Sequence, residues 1–99
     1  MATGTVNPGE RLTVNIGTNT GKLRTVVTLA GRASTRVQIL ARENGAASAS
    51  AGSGGDNEIN MSIESTLTIE GASIDDVVID DSANKGQAPL TYTITQYSA

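Results

Sequence analysis

Residues 58–70, EINMSIESTLTIE, carry the most constraining pattern in this chain, because apolar and polar residues alternate there with a period of two. The odd positions hold the apolar side chains, and only Ser65 interrupts them. The even positions hold no apolar residue. Successive side chains of a strand point to opposite faces, whereas a helix would scatter these residues around its circumference. The segment therefore predicts one long β-strand with one buried and one solvated face.

Five further segments predict strands, at residues 11–16, 23–29, 35–42, 73–81 and 90–97. Only the fourth is ambiguous. Ser73 and Asp76 match a helix capping box, but the β-branched run Val77-Val78-Ile79 favours a short strand. The predicted fold is all-β, an antiparallel β-sandwich or jelly-roll-like domain of six to seven strands.

The chain length of 99 residues predicts one domain, residues 1–99. Residues 1–10 are expected to form a flexible N-terminal arm, which ends in a type II turn at Asn7-Pro8-Gly9. Residues 17–21 suit a hairpin-like connection. The Gly/Ala/Ser-rich loop at residues 44–56 is either a mobile binding loop or a simple connector, and its composition favours the connector.

The charges of two predicted strands suggest how they pair. An antiparallel register in which the paired residue numbers of segments 35–42 and 58–70 sum to 100 satisfies both faces at once. A slip of one residue would ruin both faces. The pairs predicted by this register are Val37 with Ile63, Ile39 with Met61, Ala41 with Ile59, Arg36 with Glu64, and Arg42 with Glu58.

The composition limits both the core and the chemistry. The chain has no Cys and no His, so disulfides, thiolate metal sites and the commonest general base at neutral pH are all missing. Phe and Trp are also absent, and Tyr92 and Tyr97 are the only aromatic residues. Such a thin core favours stabilisation by self-association. Without a cofactor fingerprint or a credible cleft, we expect neither an enzyme nor a cofactor.

The net charge of −3 conceals an uneven distribution. Residues 1–42 hold six basic residues and one acid, a net charge of +5. Residues 43–99 hold one basic residue and nine acids, a net charge of −8. Either the two halves neutralise each other within one fold, or two faces of opposite sign meet between subunits. The first interpretation is the simpler and is favoured.

The densest group of acids, Asp75, Asp76, Asp80 and Asp81, is the weak candidate for a metal site. Carboxylate oxygens suit Ca²⁺, but the spacing matches no EF-hand loop, so solvated loop acids are the favoured interpretation. Paired carboxylates also serve glycosidases. A chain this short and poor in aromatic residues is not expected to build a sugar-shaped cleft.

The remaining exclusions concern nucleic acid and membranes. No aromatic residue interleaves with the arginines, and the protein is acidic, so an OB-like nucleic-acid module is a minor alternative. No segment approaches the length of an apolar membrane span. The N-terminus shows no signal peptide, so we expect synthesis in the cytoplasm, with the virion as a possible final location.

These properties favour a non-enzymatic structural or interaction subunit that forms a homo-oligomer and assembles on a larger protein scaffold. The general character is that of a phage virion accessory, such as a capsid-decorating, spike or tail protein. The alternative is a carbohydrate-binding or adhesin-type β module. The candidate interface residues, taken from the basic and acidic halves, are Arg24, Arg32, Arg36, Glu64 and Glu70.

Overall fold

A computed structural model describes residues 2–16, 23–32, 35–43, 46–47, 56–62, 64–72 and 74–98. Within these ranges the chain is all-β, with nine strands and no helix. The strands are β1 (Ala2–Val6), β2 (Arg11–Asn15), β3 (Leu23–Ala30), β4 (Arg36–Glu43), β5 (Ala46–Ala47), β6 (Asp56–Asn60), β7 (Glu64–Ala72), β8 (Asp76–Asp80) and β9 (Leu90–Ser98).

The strands form two antiparallel sheets that enclose one core in a sandwich-like arrangement. Sheet I has the strand order β1-β9-β3-β7. Sheet II has the order β2-β8-β4, and both β5 and β6 pair with β4 on its remaining side. Each sheet is therefore four strands wide. The prediction of an antiparallel all-β domain is confirmed.

The pairing is nested around the connection between β4 and β6. The first and last strands of the chain, β1 and β9, pair with each other, and β2 pairs with β8. Further inward, β3 pairs with β7 and β4 with β6. The two sheets are completed by the pairings of β3 with β9 and of β4 with β8. Every connection between consecutive long strands, except that from β4 to β6, passes from one sheet to the other.

The prediction of six to seven strands is too low for three reasons. The segment 1–10, predicted to be a flexible arm, contains β1, which pairs along its whole length with β9. Its sequence ATGTV has too few large apolar residues to reveal a strand, and the pairing with β9 supplies what the local sequence lacks. The short strand β5 lies in the segment predicted to be a loop. The third reason is a division of the long predicted strand.

The segment 58–70 is two strands, because it crosses from sheet II to sheet I. Its first part belongs to β6 and its second to β7, with a bend at Ser62. Ser65, which interrupts the apolar row, donates a hydrogen bond of 2.9 Å from its Oγ to the backbone oxygen of Asn60 across this corner. Met61 and Ile69 are both buried, since both halves face the same core. The alternation therefore persists through the corner and hides it.

The predicted register of the strand at 35–42 differs from the observed one by four residues. In the structure Val37 lies opposite Ile59 and Arg36 lies opposite Asn60, where Ile63 and Glu64 were predicted. The partner segment and the buried face of β4 are as predicted. A slip of an even number of residues leaves every side chain on its own face. Alternation alone therefore does not distinguish the two registers.

The core consists of small and medium aliphatic residues from both sheets, as the composition predicts. Val27 and Leu29 contribute from sheet I, and Val37, Ile39 and Ile79 contribute from sheet II, all of them fully buried. Alternate residues of β2, β4 and β9 are buried, as strands with one inward face require. The β-branched segment at residues 73–81 contains β8 and no helix.

Two glycines fix the backbone where the chain turns. Gly9 has a φ of 80°, and the amide of Glu10 donates a hydrogen bond of 3.0 Å to the oxygen of Asn7, as expected for the predicted type II turn. Gly31 ends β3 with a φ of 112°, and a Cβ there would lie 2.9 Å from the oxygen of Pro89. The predicted hairpin connection at residues 17–21, and most of the loop at 44–56, lie outside the described residues.

Candidate functional site

The outward side chains of β2, β4, β6 and β8 form a surface that we call the ionic face. One row crosses all four strands, because Arg11 lies opposite Asp80, Asp80 opposite Gln38, and Gln38 opposite Glu58. A second row contains Asp76 and Arg42, which are also opposite each other. The antiparallel register therefore places arginines from the N-terminal half beside acids from the C-terminal half.

Three ion pairs join the two halves of the chain on this face. Arg42 forms a two-pronged contact with Asp76, with distances of 2.5 Å from Nε to Oδ1 and 3.0 Å from Nη2 to Oδ2. Arg11 lies 3.6 Å from Asp80. Arg36 lies 3.6 Å from Glu58, and both of these side chains are exposed. The prediction that Arg36 and Arg42 pair with Glu64 and Glu58 is therefore wrong, since the slipped register brings other acids beside them.

Two groups on the ionic face have shifted pKa values. The pKa of Arg42 is raised, chiefly by its hydrogen bond to Asp76, and burial opposes this shift. The pKa of Asp80 is lowered, chiefly because its Oδ1 accepts hydrogen bonds of 2.6 Å from the hydroxyl and 3.0 Å from the amide of Ser82. The charge of Arg11 lowers it further. Both shifts favour the charged forms at neutral pH.

An apolar residue lies in the middle of the ionic face. Val78 is fully buried, although it points away from the core that its neighbours Val77 and Ile79 enter. Leu40, its partner on β4, is half-buried. Charged rows lie on both sides of this pair along the strands. Val78, at the centre of the face, is therefore shielded from solvent.

A fourth ion pair is buried at the end of β8. Arg32 donates a hydrogen bond from Nη2 to Oδ2 of Asp81, and the side chains are only 3% and 0% exposed. Asn84 Nδ2 donates hydrogen bonds of 2.7 Å to Asp81 Oδ1 and to the oxygen of Arg36, and the Asp81 amide donates to the oxygen of Glu10. Nε and Nη1 of Arg32 have no hydrogen-bond partner among the described residues. The carboxylate thus joins Arg32 to Asn84, while the amide of Asp81 and the side chain of Asn84 add contacts to Glu10 and Arg36.

The four acids considered as a metal site are spread over different environments. Asp76 and Asp80 lie on the ionic face with arginine partners, and Asp81 is buried against Arg32. Asp75 donates its amide to the oxygen of Arg42. Within the part of the chain that the structure describes, no three acids come together as a group able to hold a metal ion.

The five candidate interface residues occupy three places. Arg36 lies on the ionic face, whereas the guanidinium of Arg32 is inside the molecule and so is not available to a partner. Arg24 and Glu64 are both exposed on the other sheet. Glu70 belongs to β7, but its side chain lies outside the described part of the structure.

The outward side chains of sheet I form a second surface, which we call the threonine face. A single row across its four strands consists of Thr3, Thr93, Thr28 and Thr66. The face carries four more threonines, at positions 5, 68, 91 and 95. The hydroxyls of Thr28 and Thr66 lie 3.3 Å apart, within hydrogen-bonding distance. The alternation of threonines in residues 91–95 predicts only a solvated strand face, and a four-strand array was not foreseen.

The described charged side chains of the threonine face lie at its ends. At one end the Arg24 guanidinium lies 4.7 Å from the ring centroid of Tyr97, a cation–π distance, and Tyr97 is 45% exposed. At the other end Glu64 lies opposite Ala30 of β3. The second tyrosine, Tyr92, points inward and packs against the core over Gly4.

The described residues also line cavities, one between the two sheets and one on the ionic face. One, of about 240 Å³, is lined by Ala2, Asn15, Ile16, Ile94 and Gln96. Gln96 is held there by hydrogen bonds from Nε2 to Thr25 Oγ1 and to the oxygen of Ile74. The other, of about 300 Å³, lies on the ionic face beside Arg36, Glu58 and Ser82.

Comparison with known proteins adds no family to this geometry. No protein-family model matches the chain, and no curated protein matches its sequence. Among the described residues, no helix is present that is long and apolar enough to cross a membrane.

Proposed function

We infer that this protein is a non-enzymatic structural subunit with a jelly-roll fold, which self-associates and assembles on a larger protein scaffold. The scaffold is a phage virion, on which the protein serves as a capsid-decorating, spike or tail accessory. The nested strand pairing is the observation that carries this proposal. Leaving aside the two-residue β5, eight strands pair first with last and second with seventh, and so inward to the β4–β6 hairpin.

The nested pairing of eight strands in two four-strand sheets supports a jelly-roll arrangement, which viral capsid domains, lectins and cupins share. A fold alone does not specify a function, so the assembly role requires its own test.

The chemistry of the described residues is compatible with a structural role. The charged side chains that could have formed a reactive constellation are engaged in ion pairs within the chain, such as Arg42 with Asp76 and Arg32 with Asp81. Each of these pairs joins a residue of the basic half to a residue of the acidic half. The charge asymmetry therefore supports folding of the monomer, and association must use another surface.

A carbohydrate-binding module is the second candidate, because lectins share the jelly-roll arrangement and Tyr97 exposes an aromatic ring. Its ring already carries Arg24 at cation–π distance, which hinders the stacking of a sugar on that side. Binding of a glycan that is abolished by Tyr97→Ala would favour this candidate over the structural role.

The absolute mass in solution tests the structural proposal. Multi-angle light scattering on a sizing column, over a range of loading concentrations at low and high salt, is expected to show a reversible oligomer. Because the four ion pairs of the described residues each join two residues of the same chain, we expect association to survive high salt in large part. A monomer at every concentration would contradict self-association.

A further inference from the structure

We propose that the threonine face is the surface through which two copies of this chain associate, with their sheets I packed face to face and their strands antiparallel. This inference rests on the proposed assembly role and assigns it a surface and a partner.

The ionic face and the threonine face differ in what it costs to bury them. The ionic face would bring several charges, among them Arg11, Arg36 and Glu58, into an interface, and desolvation of charges is expensive. The centre of the threonine face carries short uncharged side chains. Some of their hydroxyls already have partners, since Thr28 and Thr66 face each other and Thr91 Oγ donates to the oxygen of Ala30. Burial of the threonine face is therefore the less costly.

Threonine also loses little side-chain entropy on association, because branching at Cβ already restricts its χ1 angle. Its methyl group gives an apolar contact in place of a flexible charged chain. The one large exposed apolar residue among the described residues, Tyr97, lies at the rim of the same face together with Arg24. Tyrosine and arginine are enriched in protein interfaces.

The charged ends of the threonine face indicate how the two copies are oriented relative to each other. Arg24 and Glu64 are at opposite ends of the face, six residues apart along β3, which corresponds to about 20 Å. A two-fold axis that lies in the interface, at right angles to the strands, reverses the strand direction and keeps the strand order. The Arg24 end of one copy then lies over the Glu64 end of the other. Two complementary contacts form, one at each end, as an isologous interface requires.

The area of the threonine face indicates how strong the dimer can be. Four strands span about 19 Å and nine residues of strand span about 30 Å, so the footprint is roughly 600 Å² for each copy. The total of about 1,200 Å² is at the lower limit of specific interfaces. We therefore expect a weak dimer that forms at high concentration or where a scaffold holds the copies close together.

The experiment uses sedimentation velocity from about 1 µM to about 1 mM of the full chain. Thr66→Arg introduces a cation on an exposed position close to its symmetry mate, and we expect it to weaken dimerisation by at least tenfold. Thr13→Arg is the matched control, since Thr13 is an exposed threonine on the edge strand β2 of the ionic face. It is expected to dimerise as the wild type does. Circular dichroism verifies that both variants are folded.

The orientation is tested by charge exchange at the two ends. Arg24→Glu and Glu64→Arg should each weaken the dimer by roughly tenfold, and the double variant should restore it. The two positions are too far apart within one chain for this rescue to be intramolecular. Rescue therefore requires that they meet between copies, and additive losses in the double variant would overturn the antiparallel arrangement.

The outcomes separate this inference from the proposed function. An oligomer that Thr66→Arg leaves intact would overturn the threonine face as the interface and leave the assembly role standing. A wild-type monomer up to the highest concentration would contradict both. Dimerisation that is lost in Thr13→Arg and kept in Thr66→Arg would assign association to the ionic face instead.

Discussion

The two outer faces of this sandwich have the same strand framework and opposite chemistry. On the ionic face arginines of the first half of the chain lie beside acids of the second half, and Val78 is fully buried between their rows. On the threonine face eight threonines are spread over four strands, and the described charges are confined to the ends, at Arg24 and Glu64. The charges of the ionic face are thus paired within the monomer, whereas the centre of the threonine face is uncharged and accessible.

This difference separates two roles that the charge asymmetry alone does not distinguish. The ion pairs between the halves reach from the surface into the interior, where Arg32 and Asp81 are buried together. They specify the fold of one chain, because each pair fixes two strands or segments relative to each other. Among the described side chains, no ion pair lies on the threonine face. We therefore expect the ion pairs to stabilise the monomer and propose the threonine face for association, and three sets of substitutions test this difference.

We expect the largest loss of stability from a substitution in the buried ion pair of Arg32 and Asp81. Asp81→Ala leaves the buried guanidinium of Arg32 without a counter-ion, and breaking a buried pair in this way costs about 3–5 kcal/mol of the free energy of unfolding. Thermal and urea denaturation measure the loss. The double variant Arg32→Met/Asp81→Leu removes both charges and should recover most of the stability. If the single and double variants are equally unstable, the ion pair is not the cause.

Two valine substitutions compare the centres of the two faces directly, and we expect an intermediate loss of stability. Val78→Ala removes buried methyl groups and should lower the free energy of unfolding by about 1.5–2 kcal/mol. Val26→Ala makes the same exchange on the half-buried centre of the threonine face and should cost less than about 1 kcal/mol. Both exchanges lower the β-propensity alike, so urea denaturation of the pair isolates the effect of burial. Equal losses would show that the two centres are equally covered.

The smallest effect is a pH dependence of the ionic face. The folded pKa of Asp80 is below its unfolded value, so its carboxylate stabilises the fold above about pH 4 and loses this effect as the pH falls through the folded pKa. Ser82→Ala removes the stronger of the two hydrogen bonds and should cost about 1 kcal/mol at pH 7. The cost should shrink towards pH 2.

Carboxyl NMR titration gives the pKa of Asp80 directly, and in Ser82→Ala we expect it to move up towards the ordinary value. Asp80→Asn is the control, because it removes the titrating group. A stability difference between wild type and Ser82→Ala that is the same at pH 7 and pH 2 would assign the effect to the local turn instead.

Much of the local structure could be predicted from the sequence. Alternation identified the strands and the inward residues, such as Val37 and Ile39 of β4, because a half-buried strand imposes a period of two. The turn at Asn7-Pro8-Gly9 was predictable from the φ preferences of proline and glycine. By contrast β1, ATGTV, was missed because its stability as a strand comes from β9.

The candidate site was predicted only in part. Arg24 and Glu64 were identified as interface candidates from their charge, and the structure places both on the threonine face, whose role as an interface remains a prediction. Arg32 was included for the same reason, but its guanidinium is buried against Asp81, 49 residues further along the chain. Nothing in the local sequence of either residue reveals that contact, since it depends on how the ends of β3 and β8 come together.

An all-β domain with an aliphatic core and an uneven charge distribution can be inferred from the chain alone, because propensity, periodicity and composition are local properties. The division of the row from Ile59 to Ile69 between two sheets depends on contacts between distant strands, since both halves face one core and the alternation continues. The register of β4 depends on such contacts too, because an even slip preserves both faces. The ion-pair partners of Arg11, Arg36 and Arg42 follow from the strand pairings of sheet II, and so does the separation of an ionic face from a threonine face.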